Sequence, residues 1–186
     1  MSSHRQKLQQ TIVCIVATLV VCACIGIWSA AAAEPARAVV DRLDSALLTT
    51  MKQGEALGFE GRYARLAPEV DDVFDLRTMA RRAQGRRWQS LDAHERRDRL
   101  ARYRHGVIAA YVQGFDDHHG QRFDVTRVRN LDGARREVST AIVARNGERR
   151  PIRYILANRG GDWRIVDMHS PEGRGPAALR GVARKA

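Results

Sequence analysis

Through much of the chain, apolar residues recur every three or four places, which is the spacing of helices that bury one face. The first such helix should begin near Pro35 and break at Gly54 and Gly58. A shorter helix should follow and end before Pro68, and a third should start at Asp75, whose side chain can cap it. The pattern therefore predicts a run of helices before any strand.

The longest predicted helix follows Asp92. Asp92 and Glu95 have the spacing of a capping box, and an apolar stripe comes after them. The residues of that stripe are Leu100, Tyr103, Val107, Tyr111 and Phe115. The opposite face carries the arginines Arg96, Arg97, Arg99 and Arg102. A helix divided in this way needs another helix or a sheet to cover its apolar side.

From Gln121 the apolar period changes to two, which is the period of a strand with one buried face. Four strands are expected, marked by Phe123 and Val125, by Val138, Thr140 and Ile142, by Ile152, Tyr154 and Leu156, and by Trp163 and Ile165. Asn146-Gly147 and Gly160-Gly161 favour tight hairpins between neighbouring strands. The predicted fold class is α+β: N-terminal helices, then a curved four-stranded antiparallel sheet with the long helix packed across it, enclosing an apolar pocket.

The N-terminal end differs from the rest of the chain. Arg5 and Lys7 precede the uncharged, largely apolar stretch Thr11–Trp28, and a run of small residues follows. These are the three regions of a secretory signal peptide, so residues 1–33 are predicted to be removed during export. The apolar stretch approaches the length that spans a bilayer, which leaves an uncleaved membrane anchor as one alternative. A lipoprotein start at Cys24 is the other.

The predicted organisation after the signal peptide is a single folded domain over residues 34–169 and a flexible basic tail over residues 170–186. Glycine and proline are frequent in the tail, which has little apolar surface to bury. All three cysteines, Cys14, Cys22 and Cys24, lie inside the signal peptide. Neither a disulfide nor a cysteine zinc site is therefore expected in the domain.

Arginine dominates the charge of the chain. The whole sequence has 32 basic and 21 acidic residues, a formal net charge of +11. Without the two basic residues of the signal peptide, 30 basic residues remain and the charge is +9. Such a surface attracts anionic lipid headgroups, acidic proteins or nucleic acid, and nucleic acid is excluded as a partner of an exported protein without interleaved exposed aromatics. A solvated arginine surface that only reflects a coding bias is the alternative.

No group of residues has the spacing of a catalytic site. Asp116 to His119 is a compact set of metal-type side chains, but adjacent residues on a turn do not readily face one ion. Asp71, Asp72 and Asp75 are explained by the favourable position of acids in the first turns of a helix. There is no GxSxG motif, no glycine-rich phosphate loop and no cysteine in the domain. The prediction is a protein that is not an enzyme, with no metal and no cofactor.

The large aromatic residues of the domain are individually expected to belong to the core rather than to contact a ligand. Their joint distribution over the long helix and the strands is nevertheless what an apolar pocket would need. From the residues alone, the prediction stops at an exported α+β domain that can bind an apolar ligand.

Several short features follow one another in a fixed order along the chain. They include the segment Met51–Pro68, which contains Leu-Gly-Phe-x-Gly-Arg-Tyr, the pair Tyr111 and Phe115, and the segment Asp162–Asp167. Together they resemble the MlaC family of periplasmic lipid-shuttling proteins, also called toluene-tolerance auxiliary components of an ABC transport system. The resemblance covers nearly all of the domain. The first segment is most similar to the branch associated with hopanoid biosynthesis.

What the resemblance implies is a periplasmic carrier that shields the apolar part of a phospholipid, or of a hopanoid-type lipid, between the helices and the sheet. It would be the soluble component of an ABC-type lipid transport system that maintains outer-membrane lipid asymmetry. Its partners would be that lipid, an inner-membrane ABC-type or other lipid-transport complex, and an outer-membrane partner. The implied lipid-binding residues are Phe74, Met79, Trp88, Tyr103, Val107, Tyr111, Phe115, Val138, Ile142, Tyr154 and Trp163.

The chain departs from the family pattern at its C-terminal end. Family members usually continue after the last strand with a helix that helps to close the pocket, whereas here Met168 leads into the Gly/Pro-rich tail. A missing wall would leave the pocket more open. The alternative function is therefore a non-transport scaffold or an accessory protein of hopanoid lipid biosynthesis.

Overall fold

A computed structural model describes residues 35–176 of the chain. The predicted signal peptide lies outside the described residues, as do residues 177–186 of the predicted tail. Helices come first: α1 is residues 35–51, α2 is Gly54–Val73, α3 is Leu76–Gln84, α4 is Arg87–Ser90 and α5 is Ala93–Gly114. In this part of the chain no helix is both long enough and apolar enough to cross a membrane.

An antiparallel sheet follows the helices, and its strands pair in chain order. The strands are β1 Arg122–Asp132, β2 Arg135–Val143, β3 Arg149–Arg159, β4 Asp162–Ser170 and β5 Gly173–Arg174. The α+β prediction is confirmed, but five strands are present where four were expected. The additional strand β5 pairs His169 with Arg174 and Ser170 with Gly173, so the chain turns back on β4 where the flexible tail was predicted to start. The remainder of the tail stays a prediction.

The helix predicted to end before Pro68 continues through it, because α2 runs to Val73. Proline inside a helix removes one backbone hydrogen bond and crowds the preceding turn. Val70 and Val73 are fully buried beyond it, so their packing favours a continued helix over a break. The break predicted at Gly58 is present as a kink, with a φ of 59° that suits glycine.

Two helices cover the inner face of the sheet, where the sequence suggested α5 alone. Leu43 and Leu47 of α1 are fully buried in the main core. The Thr140 hydroxyl of β2 donates a hydrogen bond to the Asp44 carboxylate of α1 at 2.9 Å. α5 reaches the sheet near its C-terminal end, where Tyr111 lies 3.2 Å from Tyr154, hydroxyl to hydroxyl. α1 and α5 therefore both bury part of the inner face of the sheet.

A second, smaller apolar cluster holds α3, α4 and the first half of α5 together. Ala80, Trp88 and Leu91 are buried in it, and the partly buried Leu100 and Tyr103 pack against them. Arg96 of α5 also donates to the carbonyl oxygens of Trp88 and Gln89, at 3.3 and 3.2 Å. These three helices consequently form one packed corner of the molecule.

The start of α5 carries the predicted capping box. The Asp92 side chain accepts from the Glu95 backbone N–H at 2.8 Å, and the Glu95 side chain accepts from the Asp92 N–H at 2.9 Å. We expect Asp92→Ala to lower the free energy of unfolding by about 1 kcal/mol, because the first turn loses its acceptor. Urea unfolding at neutral pH measures this loss. Asp98→Ala on the same helix should change stability by less, and equal losses in the two variants would contradict the capping role.

Candidate functional site

A cavity of about 370 Å³ lies where α3 and α5 meet the β4–β5 edge of the sheet. Its lining residues come from four separate elements and the residue after β5. They are Met79, Arg82, Ala83, Tyr103, Val166, Asp167, Arg174 and Gly175. The volume falls within the range of small-molecule sites, at its lower end.

Contacts at the start of α3 hold that helix beside β4. Asp75 caps α3 by accepting a hydrogen bond from the Thr78 N–H at 2.9 Å, which confirms the cap predicted from the sequence. The Asp75 N–H itself donates to the Ile165 carbonyl at 2.9 Å, and Phe74 forms a β-bridge with Ile165. With its N-cap residue fixed to the strand, α3 presents Met79 and Ala83, one turn apart, to the cavity.

The cavity combines an apolar wall with charged groups at its edge. Met79 and Val166 are buried, and Tyr103 is partly buried. Arg82 donates to the Val166 carbonyl at 3.1 Å and has no carboxylate partner among residues 35–176. Arg174 forms an ion pair with Asp167. The edge thus offers two guanidinium groups, which are good partners for phosphate oxygens.

The titration of the lining groups follows from these contacts. Burial opposes ionisation of Asp167, but the hydrogen bond and charge of Arg174 outweigh it, so the pKa of the Asp167 carboxyl is lowered from its ordinary value. Burial, followed by the nearby Asp167 charge, raises the pKa of Tyr103 to about 12. At neutral pH the site therefore holds a carboxylate, two guanidinium groups and a neutral phenol.

The structure gathers most of the implied lipid-binding residues into a packed core, not around this cavity. Met79 and Tyr103 line the cavity, and Phe74 lines a neighbouring one of about 410 Å³. Trp88 belongs to the smaller cluster. The others are at most 7% exposed in the main core, and they are Val107, Tyr111, Phe115, Val138, Ile142, Tyr154 and Trp163. Lipid contact by these residues stays a prediction.

A buried polar cluster in this core was missed by the sequence analysis. Asp44 is 4% exposed, its Oδ2 atom accepts from Thr140, and its Oδ1 atom has no hydrogen-bond partner. Burial raises the pKa of Asp44 to about 7, with the hydrogen bond from Thr140 acting against it. Burial also raises the pKa of the Tyr111 and Tyr154 hydroxyls. The available signal was the position of Asp44 in the apolar stripe of α1, four residues after Val40.

Residues that sequence reasoning considered for metal binding do not come together around an ion. Asp117 accepts from the backbone N–H of His118 at 2.7 Å and lies 3.4 Å from the His119 ring. Residues 35–176 contain no group of three or more histidine or acidic side chains with the arrangement of a metal site. The pattern at Asp116–His119 is that of a polar loop after a helix.

Comparison with known proteins identifies the family of this domain. Residues 41–171 match the family model described as MlaC protein. The chain belongs to the MlaC family. The family match covers α2 to α5, β1 to β4 and most of α1, and it ends just before β5, so it includes every element around the cavity except β5. No protein with a curated description is similar enough in sequence to count as a match.

A solved structure shares this MlaC fold. It is a phospholipid-binding protein from Ralstonia solanacearum in complex with a phospholipid, with a TM-score of 0.67. The likeness covers 78% of this chain and 83% of the other, at 15% sequence identity. At that identity the comparison supports the fold of this MlaC-family chain, and the ligand named is that of the neighbour.

Proposed function

We propose that this MlaC-family protein binds a phospholipid in the periplasm. An acyl chain of the lipid would lie in the cavity between α3, α5 and β4, and the phosphate would lie at the edge of the cavity. The observation that carries the proposal is the cavity itself, in which an apolar wall of Met79, Val166 and Tyr103 adjoins Arg82 and Arg174. A phospholipid has the same division, an apolar chain joined to an anionic phosphate.

Physical chemistry gives both halves of this site a role. An acyl chain leaves a bilayer only if the protein replaces its apolar surroundings, since each buried methylene contributes about 0.8 kcal/mol. The phosphate then needs charged hydrogen-bond donors, which guanidinium groups supply. Arg82 is the better placed of the two, because it donates to a carbonyl oxygen and its charge is not neutralised by a carboxylate among the described residues.

We further propose that the protein binds the lipid reversibly and exchanges it with membrane complexes. The cavity of about 370 Å³ is small for a whole phospholipid, so loading requires α3 to move away from β4. The Arg82 to Val166 hydrogen bond and the Arg174 to Asp167 ion pair cross that opening and would have to break. In the proposed pathway the carrier is exported by its signal peptide and exchanges lipid with an inner-membrane ABC-type complex and an outer-membrane partner.

Filling the cavity tests the proposal. We expect Ala83→Trp to reduce the lipid that co-purifies with the exported protein by at least about tenfold, which needs only about 1.4 kcal/mol of lost binding free energy. The indole would occupy the space that the chain needs, while the exposed position of Ala83 lets the protein fold. Mass spectrometry of a native extract gives the amount of phospholipid or hopanoid per protein.

The matched control is Ala101→Trp, which places the same side chain at an exposed position of α5 that is not part of this cavity. The control should keep its lipid. Equal lipid in Ala83→Trp and in the unaltered protein would contradict the proposed site. Charged substitutions at Tyr111 or Val107 are unsuitable, because both residues are buried and the variants would report on stability instead.

A scaffold of hopanoid biosynthesis is the second candidate function. It is favoured by the burial of ten of the eleven implied lipid-binding residues, which leaves the space between α5 and the sheet occupied by side chains. A scaffold would be exported without lipid under mild conditions. The same mass spectrometry of the unaltered protein separates the two functions.

A further inference from the structure

The helical corner formed by α3, α4 and the first half of α5 carries an unusual charge. Residues 76–103 include nine arginines and three acids, a net charge of +6 within a chain whose total is +11. The three helices pack around one small core of Ala80, Trp88 and Leu91. Eight of the nine arginines are exposed, and two of these, Arg82 and Arg96, donate to backbone carbonyl oxygens. We call the other six the arginine corner: Arg77, Arg81, Arg86, Arg87, Arg97 and Arg102.

Ion pairs with carboxylates are absent from the arginine corner, whereas they are common among the other arginines of residues 35–176. Many arginines outside it have carboxylate partners; Arg104, for example, binds Asp71 through two hydrogen bonds of 2.7 and 2.6 Å. Arg129 and Arg149 likewise pair with acids at 3.1 and 2.7 Å. None of the six corner residues forms an ion pair with another of residues 35–176. A coding bias toward arginine explains the number of arginines, but it does not explain why none of these six neighbours has a carboxylate partner within residues 35–176.

The acids of the corner are already engaged within it. Asp92 and Glu95 cap the start of α5 through each other's backbone N–H groups. Asp98 lies 3.4 Å from the ring of His94 on the preceding turn. The corner therefore faces outward as a cationic surface. A surface of this kind raises the local concentration of anions and accelerates encounters with negatively charged partners.

The composition of the corner favours a membrane surface over a protein as that partner. The hot spots of protein interfaces are mainly Trp, Tyr and Arg side chains buried together in well-packed pockets, so arginines usually act there beside aromatic anchors. The exposed large hydrophobic residues within residues 35–176 are Phe59 and Leu131, and both lie outside the corner. A plane of anionic headgroups needs no such anchor, because each arginine near it contributes separately through charge.

The location of the corner supports the same partner. α3 carries Arg77 and Arg81 on its outer side and lines the cavity with Met79, Arg82 and Ala83. A membrane bound at the α3 part of the corner is thus close to the cavity edge, because both lie on one helix. We infer that the arginine corner docks the protein onto membrane surfaces rich in anionic phospholipids, beside the cavity edge. This goes beyond the proposed cargo, because docking is measured whether or not the protein carries lipid.

Vesicle sedimentation with the full exported chain tests the inference. The probes are vesicles of phosphatidylglycerol and phosphatidylcholine, and vesicles of phosphatidylcholine alone. We expect the unaltered protein to bind the anionic vesicles only. Binding should weaken from ~0.1 M to ~1 M salt, because the screening length falls from about 10 to about 3 Å.

The decisive variant removes one corner arginine from each helix: Arg81→Gln, Arg87→Gln and Arg97→Gln together. At about fivefold per arginine, the affinity for anionic vesicles should fall about a hundredfold. The matched control removes three exposed arginines that also lack an ion pair within residues 35–176 but belong to the sheet or to its β2–β3 turn, by Arg127→Gln, Arg145→Gln and Arg153→Gln. Register places Arg127 and Arg153 on either side of Ser139, away from the helices. The control should lose less than about tenfold.

Three outcomes would overturn the inference: equal losses in the two triple variants, no binding of the unaltered protein to anionic vesicles, or equal binding to both kinds of vesicle. Thermal unfolding checks that each triple variant is folded. If the corner triple does not fold, Arg97→Gln with Arg102→Gln replaces it, and a loss of about twentyfold is then expected. Lipid per protein, measured on the same samples, reports on the proposed cargo separately, so failure of docking and failure of cargo binding are distinguishable.

Discussion

The free energy of unfolding is expected to fall by up to about 4 kcal/mol as the pH rises from about 4 to about 8, and Asp44→Asn is expected to remove this fall. Burial raises the pKa of Asp44 from 3.8 to about 7 in the folded protein. The folded state therefore holds this proton more tightly than the unfolded state does. The stability that the neutral carboxyl provides is complete below pH 3.8 and is lost as the pH rises through about 7.

The surroundings of Asp44 explain why its charge is costly. Its Oδ1 atom is buried without a hydrogen-bond partner, and Thr140 alone donates to the other oxygen within the described chain. Asp41, one turn earlier, adds a like charge, and the tyrosine hydroxyls nearby are neutral at these pH values. No guanidinium or ammonium group in residues 35–176 forms an ion pair with this carboxylate. The protonated, neutral form of Asp44 is therefore the more stable one in the folded core.

Urea unfolding of the unaltered protein and of Asp44→Asn across this pH range measures the effect. Asparagine keeps an acceptor for Thr140 and cannot ionise. Its buried amide N–H groups, however, lower the free energy of unfolding of the variant by about 1–3 kcal/mol at every pH. The difference in free energy between the two proteins should change with pH. Asp41→Asn is the matched control, because Asp41 is paired with Arg37 and half exposed. Parallel pH curves for the unaltered protein and Asp44→Asn would contradict the prediction.

Gly54→Ala is expected to destabilise the protein by about 3 kcal/mol or more, because the added methyl group would overpack a buried site and the backbone that it meets cannot move aside easily. A Cβ atom at Gly54 would lie 2.1 Å from the Asp116 carbonyl oxygen. That oxygen belongs to the backbone after α5, so no side-chain rotation removes the clash. The Gly54 carbonyl also accepts a hydrogen bond from Arg62 at 2.8 Å, which resists a shift of the start of α2.

Gly106→Ala is the matched control for this prediction. Gly106 lies in the middle of α5 and is exposed, and no neighbouring atom lies within 4 Å of the position that an alanine Cβ would take. Here alanine should raise the free energy of unfolding by about 1 kcal/mol, because it favours the helix. Guanidinium unfolding of both variants gives the comparison. A Gly54→Ala protein as stable as the unaltered one would show that α2 and the loop after α5 are not in close contact.

Local sequence signals predicted much of the fold correctly, because the interactions behind them span only a few residues. The Asp92 and Glu95 capping box marks the start of α5, and Asp75 caps α3. Gly160 and Gly161 both have positive φ angles, 65° and 98°, which the tight turn between β3 and β4 requires. Strand β5 was missed, since two residues are too few to carry a period of two.

Other features could not be predicted, because they depend on residues that are distant in sequence. Pro68 disfavours a helix locally, and only the packing of Val70 and Val73 in the core decides that α2 continues. The implied lipid-binding residues were chosen for their apolar character, which a core residue and a pocket residue share. Only the folded arrangement distinguishes Met79 and Tyr103, which border a cavity, from Tyr111 and Phe115, which lie in the packed core.

By itself the sequence determined the family and the α+β class, because the spacing of apolar residues, the helix caps and the turn glycines act over short distances and can be identified in order along the chain. It also determined the excess of arginine. Only the tertiary structure decided which arginines are left without carboxylate partners and where the cavity lies, because α3, α5 and β4 meet there from distant parts of the chain. It likewise decided the state of Asp44, since desolvation depends on every element packed around a group and no local pattern encodes it.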